Sequence, residues 1–137
     1  MKASHGNNGA VVRILIVEDF PAFRQFICFA LREKLDWRVI GEVSDGLEAV
    51  QKAAELKPDL ILLDIGLPTL NGIEAARQIR KFSPESKIIF VSQESSADVV
   101  EEALSTGACG YVVKTDVASQ LLAVVETIVS GERFVNR

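Results

Sequence analysis

A doubly wound α/β fold, built on a five-stranded parallel sheet of flavodoxin-like order 2-1-3-4-5, is the architecture this sequence predicts. Three observations carry it. Short runs rich in Ile, Leu and Val, apolar on both faces, alternate with longer stretches of helical period. The alternation is strict, five βα units with no linker between them, which is how a parallel sheet covered by helices reads. The chain of 137 residues, 48% hydrophobic and 25% charged, has room and apolar material for one domain with its own core.

Met1 to Ala10 is polar and rich in Gly and Asn, so residues 1–12 read as a flexible tail. It lacks the apolar segment of a signal peptide, and no apolar run in the chain approaches the about 20 residues of a membrane span. A cytoplasmic chain without membrane contact is expected. The ordered unit begins with β1 (13–18), followed by α1 (21–35) and β2 (37–43). Arg38 and Glu42 interrupt β2, which fits an edge strand. Helix α2 (46–56) starts at Asp45 with Glu48 three residues on, and α3 (72–82) starts at Asn71 with Glu74, both capping-box spacings. Between them lies β3 (59–63), whose LILL run has no polar face. Strand β4 (87–92) reads the same way. Helix α4 (96–106) has Ser95 or Ser96 as N-cap and Gly107 beyond its end. Strand β5 (109–113) is more mixed and suits the other edge. Helix α5 (117–130) has Asp116 as N-cap and Gly131 as its C-terminal stop. Residues 13–131 thus form the domain, and 132–137 a tail or the start of a linker. With β1, β3 and β4 the most apolar, the order 2-1-3-4-5 follows.

In such a sheet, right-handed crossovers bring every strand's C-terminal end to one edge, where ligands bind. The residues at those ends are Glu18 and Asp19 after β1, Asp64 after β3, Ser92 closing β4 and Lys114 after β5. Three carboxylates crowded together repel one another, and a hard divalent cation such as Mg2+ removes the conflict. Lys114 supplies a point charge and Ser92 a donor for the oxygens of a small tetrahedral anion, with Asp64 as candidate nucleophile.

Other chemistries find little material. His5, the only histidine, lies in the tail. Cys28 and Cys109 have no metal-ligand spacing and read as reduced, packed thiols. Fifteen basic against nineteen acidic residues, net charge −4, disfavour direct nucleic-acid binding. Arg77, Arg80 and Lys81 read as a solvated helix face. No phosphate-binding glycine pattern follows β1, which disfavours a nucleotide binder. A Mg2+-dependent phosphatase or phosphotransferase using Asp64 is the competing enzyme reading. Haloacid-dehalogenase-type hydrolases want a second acid two residues on, and Gly66 stands there. A protein that uses this fold for contacts alone would not need so complete an acidic site.

Four stretches in this order, ILIVED (14–19), DLILLDIGLPTLNGIE (59–74), IIFVS (88–92) and GACGYVVK (107–114), resemble the receiver domains of bacterial two-component response regulators. The similarity covers about residues 13–131. Thr-Asp after Lys114, GYVVK and the closing SGERF resemble the NarL/LuxR-type subclass. The resemblance implies that Asp64 is the phosphoacceptor, receiving a phosphoryl group from a histidine kinase. Asp19 would ligate Mg2+ directly, Glu18 through water, and Gly66 by its backbone carbonyl. Ser92 and Lys114 would bind phosphoryl oxygens, and Tyr111 would be the switch aromatic, turning inward with Ser92. Such a domain assists its own modification without turning over an external substrate. Relatives usually carry a C-terminal DNA-binding domain, so control of transcription by a longer protein is expected. The sequence departs from the common pattern at Gln93, where a small residue is usual, at Gly66, which has no side chain to shield an acyl phosphate, and mildly at Glu18 and Ser92. Finally, Phe20, Phe23, Phe26 and Phe29 are four of the seven phenylalanines and crowd α1, while α5 carries Val117, Leu121, Leu122, Val124, Val125, Ile128 and Val129. One apolar stripe covers a sheet face, so the excess suggests a homodimer through α1/α5.

Overall fold

The computed structural model describes residues 11–131 and the backbone of 134–135. Its sheet has the order β2-β1-β3-β4-β5-β6, all neighbours parallel. The first five strands are β1 Val12–Val17, β2 Trp37–Val43, β3 Leu60–Leu63, β4 Lys87–Ser92 and β5 Gly110–Val113, in the order expected. The helices are α1 Pro21–Leu31, α2 Gly46–Leu56, α3 Gly72–Phe82, α4 Ala97–Leu104 and α5 Val117–Val129. No helix among the described residues is long and apolar enough to cross a membrane. Residues 1–10 lie outside the described residues, and with them most of the expected N-terminal tail.

Each strand's alternating side chains feed two cores. One face, with Leu15, Val17, Ile61, Leu63, Ile88 and Phe90, packs under α2, α3 and α4. The other, with Ile14, Ile16, Leu60, Leu62, Ile89 and Val91, packs under α1 and α5. That two-sided burial is why β3 and β4 read as unbroken apolar runs. Helix starts follow the caps: Asp45 accepts the Glu48 N–H at 2.7 Å, Asn71 the Glu74 N–H at 3.0 Å and Ser96 the Val99 N–H at 3.3 Å. Gly107 and Gly131 hold φ of +95° and +100°, the left-handed region where a helix ends most easily on glycine.

Four expectations change. Helix α1 stops at Leu31, four residues early, because the Trp37 N–H reaches the Lys34 carbonyl and the Val12 N–H the Asp36 carbonyl, turning the chain into β2. Leu35, the last residue of the expected helix, is exposed. Strand β5 is not the edge: β6, Phe134–Val135, pairs alongside it where only a tail or linker was expected. Asp116 makes no side-chain cap, since a 3-10 turn over Lys114–Asp116 runs into α5. The apolar surplus of α5 disappears, as Val117, Leu121, Val124, Val125 and Ile128 are buried and Leu122 and Val129 pack partly against the same core. On α1 the surplus persists, with Phe26 and Phe29 exposed on the helix and Phe20 exposed at its N-cap.

Candidate functional site

The C-terminal ends of β1, β3, β4 and β5 open into one cleft of about 440 Å³ lined by Glu18, Asp19, Phe20, Asp64, Ile65, Gly66, Ser92, Gln93, Glu94 and Lys114. Six of the seven residues singled out from the sequence therefore share a single cavity. The seventh, Tyr111, lies beneath its rim.

Local backbone contacts fix the acidic side. Beyond β1, the Glu18 N–H donates to the Val43 carbonyl at 3.0 Å, and the Asp64 N–H to the Val17 carbonyl at 3.1 Å, so both residues continue the strand ladder into the cleft. The Asp64 carboxylate accepts the Ile65 N–H at 2.7 Å. Helix α3 begins immediately against it. A Cβ on Gly72 would fall 1.9 Å from the Asp64 carbonyl oxygen, so only glycine permits this approach. Pro21 opens α1, and its Arg24 guanidinium donates to the Glu18 carbonyl at 2.7 Å while pairing with Glu42 at 3.4 Å.

The charges are tightly arranged. Glu18 and Asp64 are 1% and 6% exposed. Carboxylate oxygens of Glu18, Asp19 and Asp64 lie within 4.8 Å of one another. The Lys114 ammonium bridges two of them, 2.9 Å from Glu18 Oε1 and 3.2 Å from Asp64 Oδ2. Glu18 Oε2 accepts the Phe20 N–H at 3.0 Å and the Lys114 ammonium at 3.1 Å, whereas among the described residues the buried Oε1 accepts no well-directed hydrogen bond and is met by the Lys114 charge. Burial pushes the Glu18 carboxyl above its usual range, and the bonds from Lys114 and Phe20 offset this only in part. At Lys114 burial pulls downward, but Glu18 and Asp64 together outweigh it and hold the ammonium above its ordinary value.

Across the cleft, Ser92 is buried, and its Oγ accepts the Glu94 N–H at 3.1 Å. The Glu94 carbonyl in turn accepts the Tyr111 hydroxyl at 2.7 Å. Tyr111 is fully buried, its ring 6.1 Å from that of Phe90. Burial raises its phenol above the ordinary value. Three residues at this site were not legible as site residues: Phe20 and Arg24, which hold Glu18, and Phe23, whose ring lies 4.8 Å from Lys114 Nζ. Phe23 follows Asp19 by four residues, one turn into α1, which is the only signal the sequence carried for it.

The donor set suits a small hard cation: clustered carboxylates, one with an under-satisfied buried oxygen, beside the unscreened backbone of Gly66. It also suits an anion between Lys114 and Ser92.

The chain is similar to known proteins. Residues 14–126 match the response regulator receiver domain family. The chain is 41% identical over 102 residues to the chemotaxis protein CheY of Thermotoga maritima, covering 74% of this chain and 84% of that one. It is 34% identical over 122 residues to the transcriptional regulatory protein LiaR of Bacillus subtilis, covering 89% of this chain and 58% of LiaR. The crystal structure of a LuxR-family two-component response regulator from Aurantimonas sp. SI85-9A1 superposes with a TM-score of 0.86 at 30% identity, over 91% of this chain and 89% of that one. Of the curated relatives it matches, the chain spans 58% of another transcriptional activator and 30% of a longer protein.

Proposed function

The chain belongs to the response regulator receiver domain family, and from that premise we propose that it is a phosphorylation-operated switch with Asp64 as phosphoacceptor. The observation that carries this reading is a buried Asp64 carboxylate with a lysine ammonium at 3.2 Å, inside a cleft crowded with two further acids. One carboxylate oxygen attacks the phosphorus of a phosphohistidine on a histidine kinase. The new O–P bond forms as the N–P bond breaks, and the imidazole leaves. Lys114 and Ser92 meet the oxygens of the transferred group, neutralising charge and donating a hydrogen bond. Glu18, Asp19, Asp64 and the Gly66 carbonyl would hold Mg2+, which when bound neutralises phosphoryl charge and orients its oxygens.

The acyl phosphate adds about 1.5 to 2 negative charges and three strong acceptors at one point. Ser92 gains a bond only in that state, and its Oγ is tied to Glu94, whose carbonyl holds Tyr111. A shift of Ser92 toward the phosphoryl group therefore pulls on the β4–α4 loop. We place this switch in the cytoplasm, as the regulatory part of a longer transcriptional regulator, with no external substrate turned over. The expected homodimer rests now on α1, through exposed Phe26 and Phe29, since α5 presents no comparable large apolar side chains outward.

The test is incubation with Mg2+ and acetyl phosphate, followed by intact mass, with Asp64→Asn alongside. One added phosphoryl group, dependent on Mg2+ and absent from the variant, is expected. Steady phosphate release without an aspartyl adduct under rapid quench would favour a phosphatase, and neither adduct nor turnover would leave a pseudo-receiver.

A further inference from the structure

Lys114 has two carboxylate partners in this structure, Glu18 and Asp64, and the functional reading above assigns both to the metal site as well. Glu18 sits among the acids that would face Mg2+, and a divalent cation drawn to that cluster repels an ammonium. Before the phosphoryl group arrives, Lys114 would thus share both partners, the 2.9 Å one included, with a cation that repels it. One attraction is not consumed in this way. The face of Phe23 lies 4.8 Å from Lys114 Nζ, well within the roughly 6 Å over which an aromatic quadrupole attracts a cation.

Phe23 is well placed to keep that position. It projects from the first turns of α1, packs partly against the core beneath α1 and α5, and touches the Phe26 ring with centroids 6.0 Å apart. The Lys114 side chain is 18% exposed, so water screens the contact only in part. The backbone of α1 is itself anchored to the acidic loop by Arg24 on the Glu18 carbonyl. The ring, the ammonium and the two carboxylates therefore form one unit.

We infer that Phe23 is a positioning residue for Lys114, its ring holding the ammonium at the phosphoacceptor where the carboxylates would share their charge with the metal. This rests on the phosphoacceptor reading for its consequence, though not for the contact itself. Phe23 touches no reacting atom. Its contribution is to the fraction of time Lys114 spends in reach of the phosphoryl oxygens.

The experiment uses the whole chain with phenylalanine, 4-fluoro-, 3,5-difluoro- or pentafluorophenylalanine at position 23, together with Phe23→Tyr and Phe23→Leu. Fluorination drains the ring's negative face while nearly preserving its shape, so a packing role predicts no trend. The initial rate of Mg2+-dependent phosphorylation by acetyl phosphate should fall stepwise, to a total of about two- to fivefold, with Tyr near the parent and Leu at the low end. Independently, the Lys114 ε-proton resonances should stand upfield in the parent from the ring current and return toward ordinary lysine values in Phe23→Leu. A flat rate across the fluorinated series, with a parent that phosphorylates normally, overturns the inference. So do unshifted ε-protons in the parent. A parent that accepts no phosphoryl group refutes the phosphoacceptor reading instead, and the ring-current measurement then decides the Phe23–Lys114 contact by itself.

Discussion

Replacing Lys114 by Met removes the cation that bridges two buried carboxylates while keeping most of the side chain's volume. Glu18 would then face Asp64 with no positive partner on Oε1. The loss has a ceiling. Protonating Glu18, whose ordinary value is 4.5, at about pH 7.5 costs about 4 kcal/mol at 1.36 kcal/mol per unit. Part of this is already present in the parent, because burial holds the Glu18 carboxyl up despite the ion pair. Breaking one partner out of a buried pair costs about 3–5 kcal/mol, and the partly exposed lysine brings the expectation below that range. The two arguments converge on about 2–3 kcal/mol, or roughly 8–12 °C in Tm for a domain of this size. The pH dependence has a definite sign. A carboxyl raised in the folded state binds more protons folded than unfolded, so stability falls as pH rises from about 4.5 through the raised value. The gap between parent and Lys114→Met should therefore be small at pH 4.5 and full at pH 7.5. Thermal unfolding at both pH values, with and without Mg2+, reads it directly, and Mg2+ should narrow the gap at pH 7.5. A variant as stable as the parent at pH 7.5, or one with the same deficit at both pH values, would refute the reasoning.

Other consequences are equally specific. A Cβ at Gly66 would have no heavy atom within 4 Å, so Gly66→Asn should fold normally and lengthen the lifetime of the acyl phosphate by covering it; unchanged decay of the phosphorylated protein counts against this. Gly72→Ala must move the Asp64 backbone away from a 1.9 Å overlap, at a cost of about 1–3 kcal/mol or more, and should slow phosphorylation beyond what its Tm alone explains. Burial, with Glu42 beside it, pushes the Cys28 thiol up to about 11 from 9.0, so at pH 8 the folded protein should alkylate there about a hundredfold more slowly than the denatured chain. Iodoacetamide labelling followed by peptide mass measures that ratio, and parity between the two states would dispose of the claim.

The parts of the fold that were legible are those where local chemistry and tertiary packing agree. Asp45, Asn71 and Ser96 cap where their spacing says they should, and LILL is buried on both faces as its composition requires. Where tertiary pairing wins over local pattern, the sequence misleads. Leu35 extends the apolar period of α1, yet Trp37 must turn back to pair with Val12, and the helix ends first. The two residues of β6 carry too little pattern to announce a strand. The site was legible because sheet topology places strand ends together, whatever their separation in sequence. Its supporting contacts were not, since Arg24 on a backbone carbonyl and Phe23 under an ammonium depend on the entry angle of α1.

The central claim is that Asp64 carries the phosphoryl group. Borohydride reduction of the chain after Mg2+ and acetyl phosphate treatment, followed by peptide mass spectrometry, addresses it at the level of a single residue. An acyl phosphate on Asp64 is reduced to homoserine at that position, and the account predicts this conversion there, dependent on Mg2+. Conversion at Glu18 or Asp19, or none in a sample whose intact mass shows the added group, would contradict it.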